Sequence, residues 1–194
     1  MSYTCPRRPR PAAMDLAQLH GGLAVVTGSG SVQGLGFAMA RKAAALGMHV
    51  LISDVRREAV DEAVTMLRSV APAVHVDGCV TDVTDFASVQ ALLATALSGF
   101  PGTPIRFVAA NAGVLFPKTT IITGEPQEWE LTYNVNVLGL FHTLRVFVPH
   151  LLAQAERSAI EITASIAGVM HGSVGPYHRR LPTVLRICTV FPAQ

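Results

Sequence analysis

Charge is scarce in this sequence. Only 14% of the 194 residues are acidic or basic and the formal net charge is +2. That is too little to draw nucleic acid electrostatically, and no basic stretch is interleaved with aromatics. Aromatic residues are thin at 6%, with Trp129 the single tryptophan. Cysteine is nearly absent: Cys5, Cys79 and Cys188 are widely separated and odd in number, which argues against a disulfide framework or a cysteine metal site and points to a reducing, cytoplasmic compartment. None of the seven histidines pairs at metal-ligand spacing, so no metal is expected. No apolar run reaches membrane length, so no membrane partner is expected either. What is abundant is apolar: half the residues are hydrophobic and the mean hydropathy is +0.40. That composition suits a sheet covered on both faces and opposes disorder. One domain is the natural count at this length. The proline- and arginine-rich start, within residues 1–20, reads as a disordered extension.

Apolar runs and helical periodicities alternate along the rest. Leu23 to Thr27 reads as a strand and Gly34 to Leu46 as a helix, with Gly36, Ala40 and Ala44 as a small-residue stripe and Gly47 as its stop. His49 to Asp54 is a second strand and Arg56 to Val70 a second helix. Ala73 to Val80 is a third strand, and Asp85 to Leu97 a third helix with Thr84 as its N-cap. Pro104 to Gly113 reads as a strand and turn. Pro126 to Gln154 is a long helix that Pro149 kinks or ends, and Ala159 to Ser165 is a fifth strand. This βαβαβαβαβ order predicts an α/β fold: a Rossmann-like, doubly wound parallel sheet between two helix layers, with ligands at the carboxyl ends of the strands. Glu161 stands out, a carboxylate in the middle of a strand expected to be covered on both sides, where a charge is costly unless it is paired.

The chain centres on AVVTGSGSVQGLG, Ala24 to Gly36. An apolar strand gives way to Gly28, Gly30, Gly34 and Gly36, and a helix starts at once. Glycines let backbone approach a phosphate, and free N–H groups at the helix start face the anion. Asp54 follows Gly36 by 18 residues, near the spacing at which an acid binds ribose hydroxyls; alternatively it caps the next helix. A carboxylate about 4 Å from a 2′-phosphate costs on the order of 1–4 kcal/mol, which favours NAD over NADP.

From Gly22 to Tyr177 the sequence resembles the short-chain dehydrogenases/reductases. Gly30-Ser31-Val32-Gln33-Gly34-Leu35-Gly36 matches their GxxxGxG loop, with Thr27-Gly28 two residues ahead of the usual register, so that Gly30 reads as the first glycine. Asp82-Val83 matches the pair that touches adenine, and Asn111-Ala112-Gly113 the motif that steadies the central strand and lines the cofactor. Asn136 matches the asparagine of the proton relay, Ser165 the serine that holds the substrate oxygen, and Tyr177 the acid/base tyrosine that also lines the cofactor site. Taken singly, Asp82 is a capping residue, Asn136 a backbone-pairing side chain, Ser165 a strand end and Tyr177 a packed aromatic. Together they imply NAD(P)-dependent hydride transfer on an alcohol or carbonyl substrate, and a homo-oligomer paired through the Asn136 helix.

The match stops at Tyr177. Leu181 stands where the family has the lysine that binds the nicotinamide ribose and lowers the tyrosine pKa, and Pro182 opposes a helix there. Arg180 brings charge close but cannot release a proton. Residues 178–194 therefore read as an atypical tail after a domain at 21–177, from an altered C-terminus that leaves a sheet edge open. The alternative to an active enzyme is an inactive isoform that keeps a dinucleotide-binding module.

Overall fold

The computed structural model describes residues 16–116, 123–154, 156–165 and 189–191. Six strands form one sheet in the order β3-β2-β1-β4-β5-β6: β1 Leu23–Thr27, β2 His49–Asp54, β3 Val76–Val80, β4 Ile105–Ala110, β5 Ser158–Ile162 and β6 Thr189–Phe191. β1 to β5 are parallel, as the alternating pattern requires. The order reverses between β1 and β4, the switch point at which doubly wound sheets open a crevice.

Alternate residues of each strand supply two cores. Ala24, Val26, Val50, Ile52 and Ala109 face α1 (Leu35–Ala45) and α2 (Arg57–Val70), where they meet Phe37, Ala40, Val60 and Leu67. Leu23, Val25, Leu51, Val108, Ile160 and Ile162 face the other layer, α3 (Phe86–Gly99) and α5 (Leu140–Ala153), with Leu92, Phe147 and Leu151. All five residues of β1 are buried, which explains why that strand reads as an unbroken apolar run. Gly36, Ala40 and Ala44 are buried as the stripe predicts, and Gly47 ends the turn with φ +78°.

Several expectations need correction. The ordered unit begins before residue 21: Leu16–Leu19 forms a 3₁₀ turn, Leu19 is buried, and the Gln18 carbonyl accepts from Arg106 Nη1 at 3.0 Å. Asp85, not Thr84, caps α3, accepting from the Ala87 N–H at 3.0 Å, because Thr84 is already committed to Asp82. Pro149 does not end its helix, which runs on to Ala153. The solvent-facing positions of Pro149 and Arg145 let the carbonyl that loses its N–H partner turn to water. The irregularity falls earlier, where α4 (Pro126–Tyr133) passes through a π segment, Asn134–Gly139, into α5. That run, Pro126–Ala153, is the one helix among the described residues long and apolar enough to cross a membrane by length and composition; it packs Val146, Phe147 and Leu151 into the core.

The edge of β5 is not open. β6 pairs with it antiparallel, Ser158 opposite Phe191 and Ile160 opposite Thr189. Glu161 is half-buried, not sealed in a covered sheet. It lies in register with Ala109, hence on the α1/α2 face, but α1 packs on β1 and β2 and α2 on β2 and β3. β5 lies beyond them on that side.

Candidate functional site: a cavity at the switch point

The carboxyl ends of β1 to β4 surround a cavity of about 420 Å³ lined by Gly28, Asp54, Val55, Arg56, Thr81, Asp82, Val83, Thr84, Ala112, Gly113, Val114, Leu131 and Val135. That is within the size range of small-molecule sites. Six residues singled out in the sequence, Gly28, Asp54, Asp82, Val83, Ala112 and Gly113, thus share one wall system although up to 85 positions separate them.

The glycine loop is built from the strand ends outward. Gly28 takes φ +62°, and a Cβ there would stand 2.5 Å from the Ala112 Cα. The left-handed turn expected of a leading glycine therefore sits at Gly28 and not at Gly30. Gly30 has another role: its N–H donates to Asp54 Oδ2 at 3.1 Å, and a Cβ would come 2.8 Å from the Asp54 Cβ. The two extra residues are absorbed because Ser29 prolongs the β1–β2 ladder. Its N–H reaches the Ser53 carbonyl at 2.9 Å, and its buried hydroxyl donates to Val26 O at 2.8 Å. Sequence reasoning passed over Ser29. Gly34 is the N-cap of α1 and brings no side-chain hydrogen bond, so the first-turn N–H groups, starting at Leu35 and Gly36, keep their partial positive charge for a ligand. Gly36 must be small, since a Cβ would approach Asn111 Nδ2 to 2.5 Å.

Asn111 is the knot of the site. Its Nδ2 donates to the carbonyls of Thr27 at 3.0 Å and Gly28 at 2.9 Å, while its Oδ1 accepts from Thr163 Oγ1 at 2.9 Å. Thr27 Oγ1 in turn accepts from the N–H groups of Asn111 and Ala112, at 3.0 and 3.1 Å. The carbonyls of Thr27 and Gly28 thereby have a donor of their own, while the first-turn N–H groups of α1 stay available to an anion.

Asp54 is largely covered, its side chain 12% exposed, and pairs with the Arg56 guanidinium at 3.2 Å. It also accepts from the Arg56 N–H at 3.2 Å, and the N-cap of α2 is Arg56 itself, so the capping alternative for Asp54 does not hold. Asp82 spends one oxygen on its own turn, accepting from the Thr84 N–H and hydroxyl at 2.9 and 2.7 Å. Asn136 does not pair within its helix: its amide closes on Val114, accepting from the N–H at 2.9 Å and donating to the carbonyl at 3.0 Å. Ser165 follows β5 and is exposed. Tyr177, Leu181, Cys5 and Cys188 lie outside the described residues. Thr163 and His142, the latter 2.9 Å from the Val83 carbonyl through Nδ1, carry no local sequence signal and were missed. Among the described residues no group of three His, Cys, Asp or Glu could hold a metal ion.

The fold and cavity define a doubly wound α/β protein with its binding crevice at the strand-order switch. The short chain dehydrogenase family profile matches residues 23–177. The chain belongs to the short-chain dehydrogenase family. It is 30% identical over 164 residues to 2,3-dihydro-2,3-dihydroxybenzoate dehydrogenase of Bacillus subtilis, a match covering 84% of this chain and 60% of that protein. A short chain dehydrogenase/reductase from Burkholderia phymatum solved in complex with NAD superposes with a TM-score of 0.75 at 36% identity, over 83% of this chain and 55% of that one. L-sorbose reductase from Gluconobacter frateurii, solved with NADPH and L-sorbose, gives 0.71 at 28%, over 82% and 58%. The chain spans about three-fifths of the length of the Bacillus relative and just over half of the Burkholderia one.

Proposed function

We propose that this chain binds NAD and acts as an oxidoreductase on a small alcohol or carbonyl substrate. The observation that carries the reading is the cavity lined both by Gly28, where only glycine fits, and by the Asp54 carboxylate. Gly28, Gly30, Gly34, Leu35 and Gly36 would hold the diphosphate, Asp54 the ribose hydroxyls, Asp82 and Val83 the adenine, and Asn111, Ala112 and Gly113 the nicotinamide side. When bound, the dinucleotide supplies hydride chemistry. Ser165 would hold the substrate oxygen, Tyr177 would exchange a proton with it, and Asn136 would set the loop at Val114. The dinucleotide-binding domain takes in the Leu16–Leu19 turn ahead of residues 21–177, and 178–194 serve as its tail. The low cysteine count supports a cytoplasmic setting, which fractionation tests. The exposed Phe141 and Leu152 on α5 support pairing of two copies along the Asn136 helix, which sedimentation tests.

Fluorescence titration with NADH, joined to a turnover assay over secondary alcohols and ketones, tests the main reading. Saturable binding with slow turnover is expected, because an unperturbed tyrosine near pKa ~10 is ionised only about once in a thousand at neutral pH and Leu181 brings no charge to lower it. Tyr177→Phe removes what turnover there is. Binding without any turnover reduces the reading to a dinucleotide-binding module, and absence of binding ends it.

The Asp54–Arg56 pair adds a second expectation. Asp54→Asn keeps an acceptor for the Gly30 N–H, removes the negative charge and frees Arg56. The NADPH-to-NADH affinity ratio should rise at least about fivefold, the lower end of the 1–4 kcal/mol repulsion. An unchanged ratio in paired titrations removes Asp54 from the ribose site.

A further inference from the structure

Val83 stands in the cavity wall, and a side chain from the long helix holds it from behind. Its carbonyl oxygen lies 2.9 Å from His142 Nδ1. A carbonyl only accepts, so Nδ1 carries the hydrogen and His142 is either the Nδ1–H tautomer or the imidazolium. The ring cannot drift, because Phe86 meets it edge-on at 5.5 Å and Arg145 caps Phe86 at 5.3 Å. One turn earlier the helix backbone comes close enough for this reach only because residue 139 is glycine: a Cβ there would stand 2.6 Å from Val83 Cγ2. The same helix also holds Val114, another residue of the cavity wall, through Asn136. The π segment lies around and between these two grips, a type of defect that recurs at functional sites.

We propose that His142 is a positioning residue for the adenine half of the dinucleotide. Its Nδ1–H fixes the Val83 carbonyl outward and so sets the Asp82–Val83 wall against which adenine packs. The inference rests on the dinucleotide reading above. His142 touches no ligand and acts through Val83 alone.

Calorimetric titration of the full chain with ADP-ribose tests it. His142→Phe keeps a flat ring in the Phe86 contact and removes the donor; His142→Asn restores a donor at the reach of Nδ1. The Phe variant should bind ADP-ribose roughly 5- to 10-fold more weakly, the worth of one lost hydrogen bond. The Asn variant should stay within about twofold of wild type, and the unliganded melting temperatures of the two should agree. Wild-type affinity in the Phe variant overturns the proposal, as does equal weakening in both, which is the mark of a packing role alone. A long-range ¹H–¹⁵N spectrum of the wild type reads the tautomer directly, whatever the variants do. A proton on Nδ1, in the neutral ring or the imidazolium, supports the proposal, and the neutral ring protonated on Nε2 alone overturns it. A wild-type chain that binds no ADP-ribose overturns the dinucleotide reading itself, a distinct result.

Discussion

Alanine at Gly28 is expected to destabilise the fold by about 2–5 kcal/mol and to abolish NADH binding. Two costs add. The backbone there holds φ +62°, a left-handed conformation that a Cβ penalises by roughly 1–2 kcal/mol. The new methyl would also stand 2.5 Å from the Ala112 Cα. That contact is backbone on β4's trailing turn, not the end of a flexible side chain, and relieving it should cost a further 1–3 kcal/mol or so. Gly102 separates the two terms, since it holds φ +73° with nothing within 4 Å of a built Cβ. Gly102→Ala should therefore show only the conformational part. Urea denaturation of both variants gives the comparison, and equal losses at the two positions would show that the Gly28–Ala112 contact carries nothing.

Removing the Asn111 side chain should do comparable damage by another route. Asn111→Ala strips partners from the carbonyls of Thr27 and Gly28 and from the Thr163 hydroxyl. Polar groups left unpaired away from water cost about 1–3 kcal/mol each. Partial exposure and relaxation lower the sum, so an expected loss of about 2–4 kcal/mol follows, with NADH affinity falling at least about tenfold as the freed carbonyls turn toward the anion. Asn111→Asp is the sharper variant. It preserves the shape and the acceptor for Thr163, yet sets a carboxylate oxygen against two carbonyl oxygens. It should be at least as damaging as alanine, and a well-folded, NADH-binding Asp variant would refute the role given to Nδ2.

The order of elements was legible in the sequence because β1, β2 and β4 are buried on both faces and so read as apolar runs, while α1 and α2 bury one stripe each. The cradle was legible for a similar reason: backbone that must pass within 3 Å of other backbone admits only glycine, and glycine is visible in a sequence. What stayed hidden acts through space. Thr163 reaches Asn111 across 52 positions and His142 reaches Val83 across 59, and neither residue type is unusual where it stands. The cap of α3 was misplaced by one residue because threonine and aspartate are both good caps, and the choice turned on the Asp82 carboxylate claiming Thr84 first. Glu161 read as a buried charge because the sheet was taken to be covered equally along its width; among the described residues α1 and α2 pack on β1 to β3. The π segment left no trace, since a one-residue change of helical phase alters no composition.

The strand order also has a consequence in time. β1, the most thoroughly buried strand, pairs on one side with β2 and on the other with β4, so its second edge has no partner until residue 110 has been made. The β1-to-β3 unit is complete in sequence at Val80. At the ribosome's pace of 5–20 residues per second, the remaining stretch takes roughly 2–6 seconds. For that interval Leu23 to Thr27 presents an apolar, unpaired edge to the cell, and Asn111, the residue that will fasten the loop, does not yet exist. The nascent chain is at its most adhesive just before its binding cleft can close.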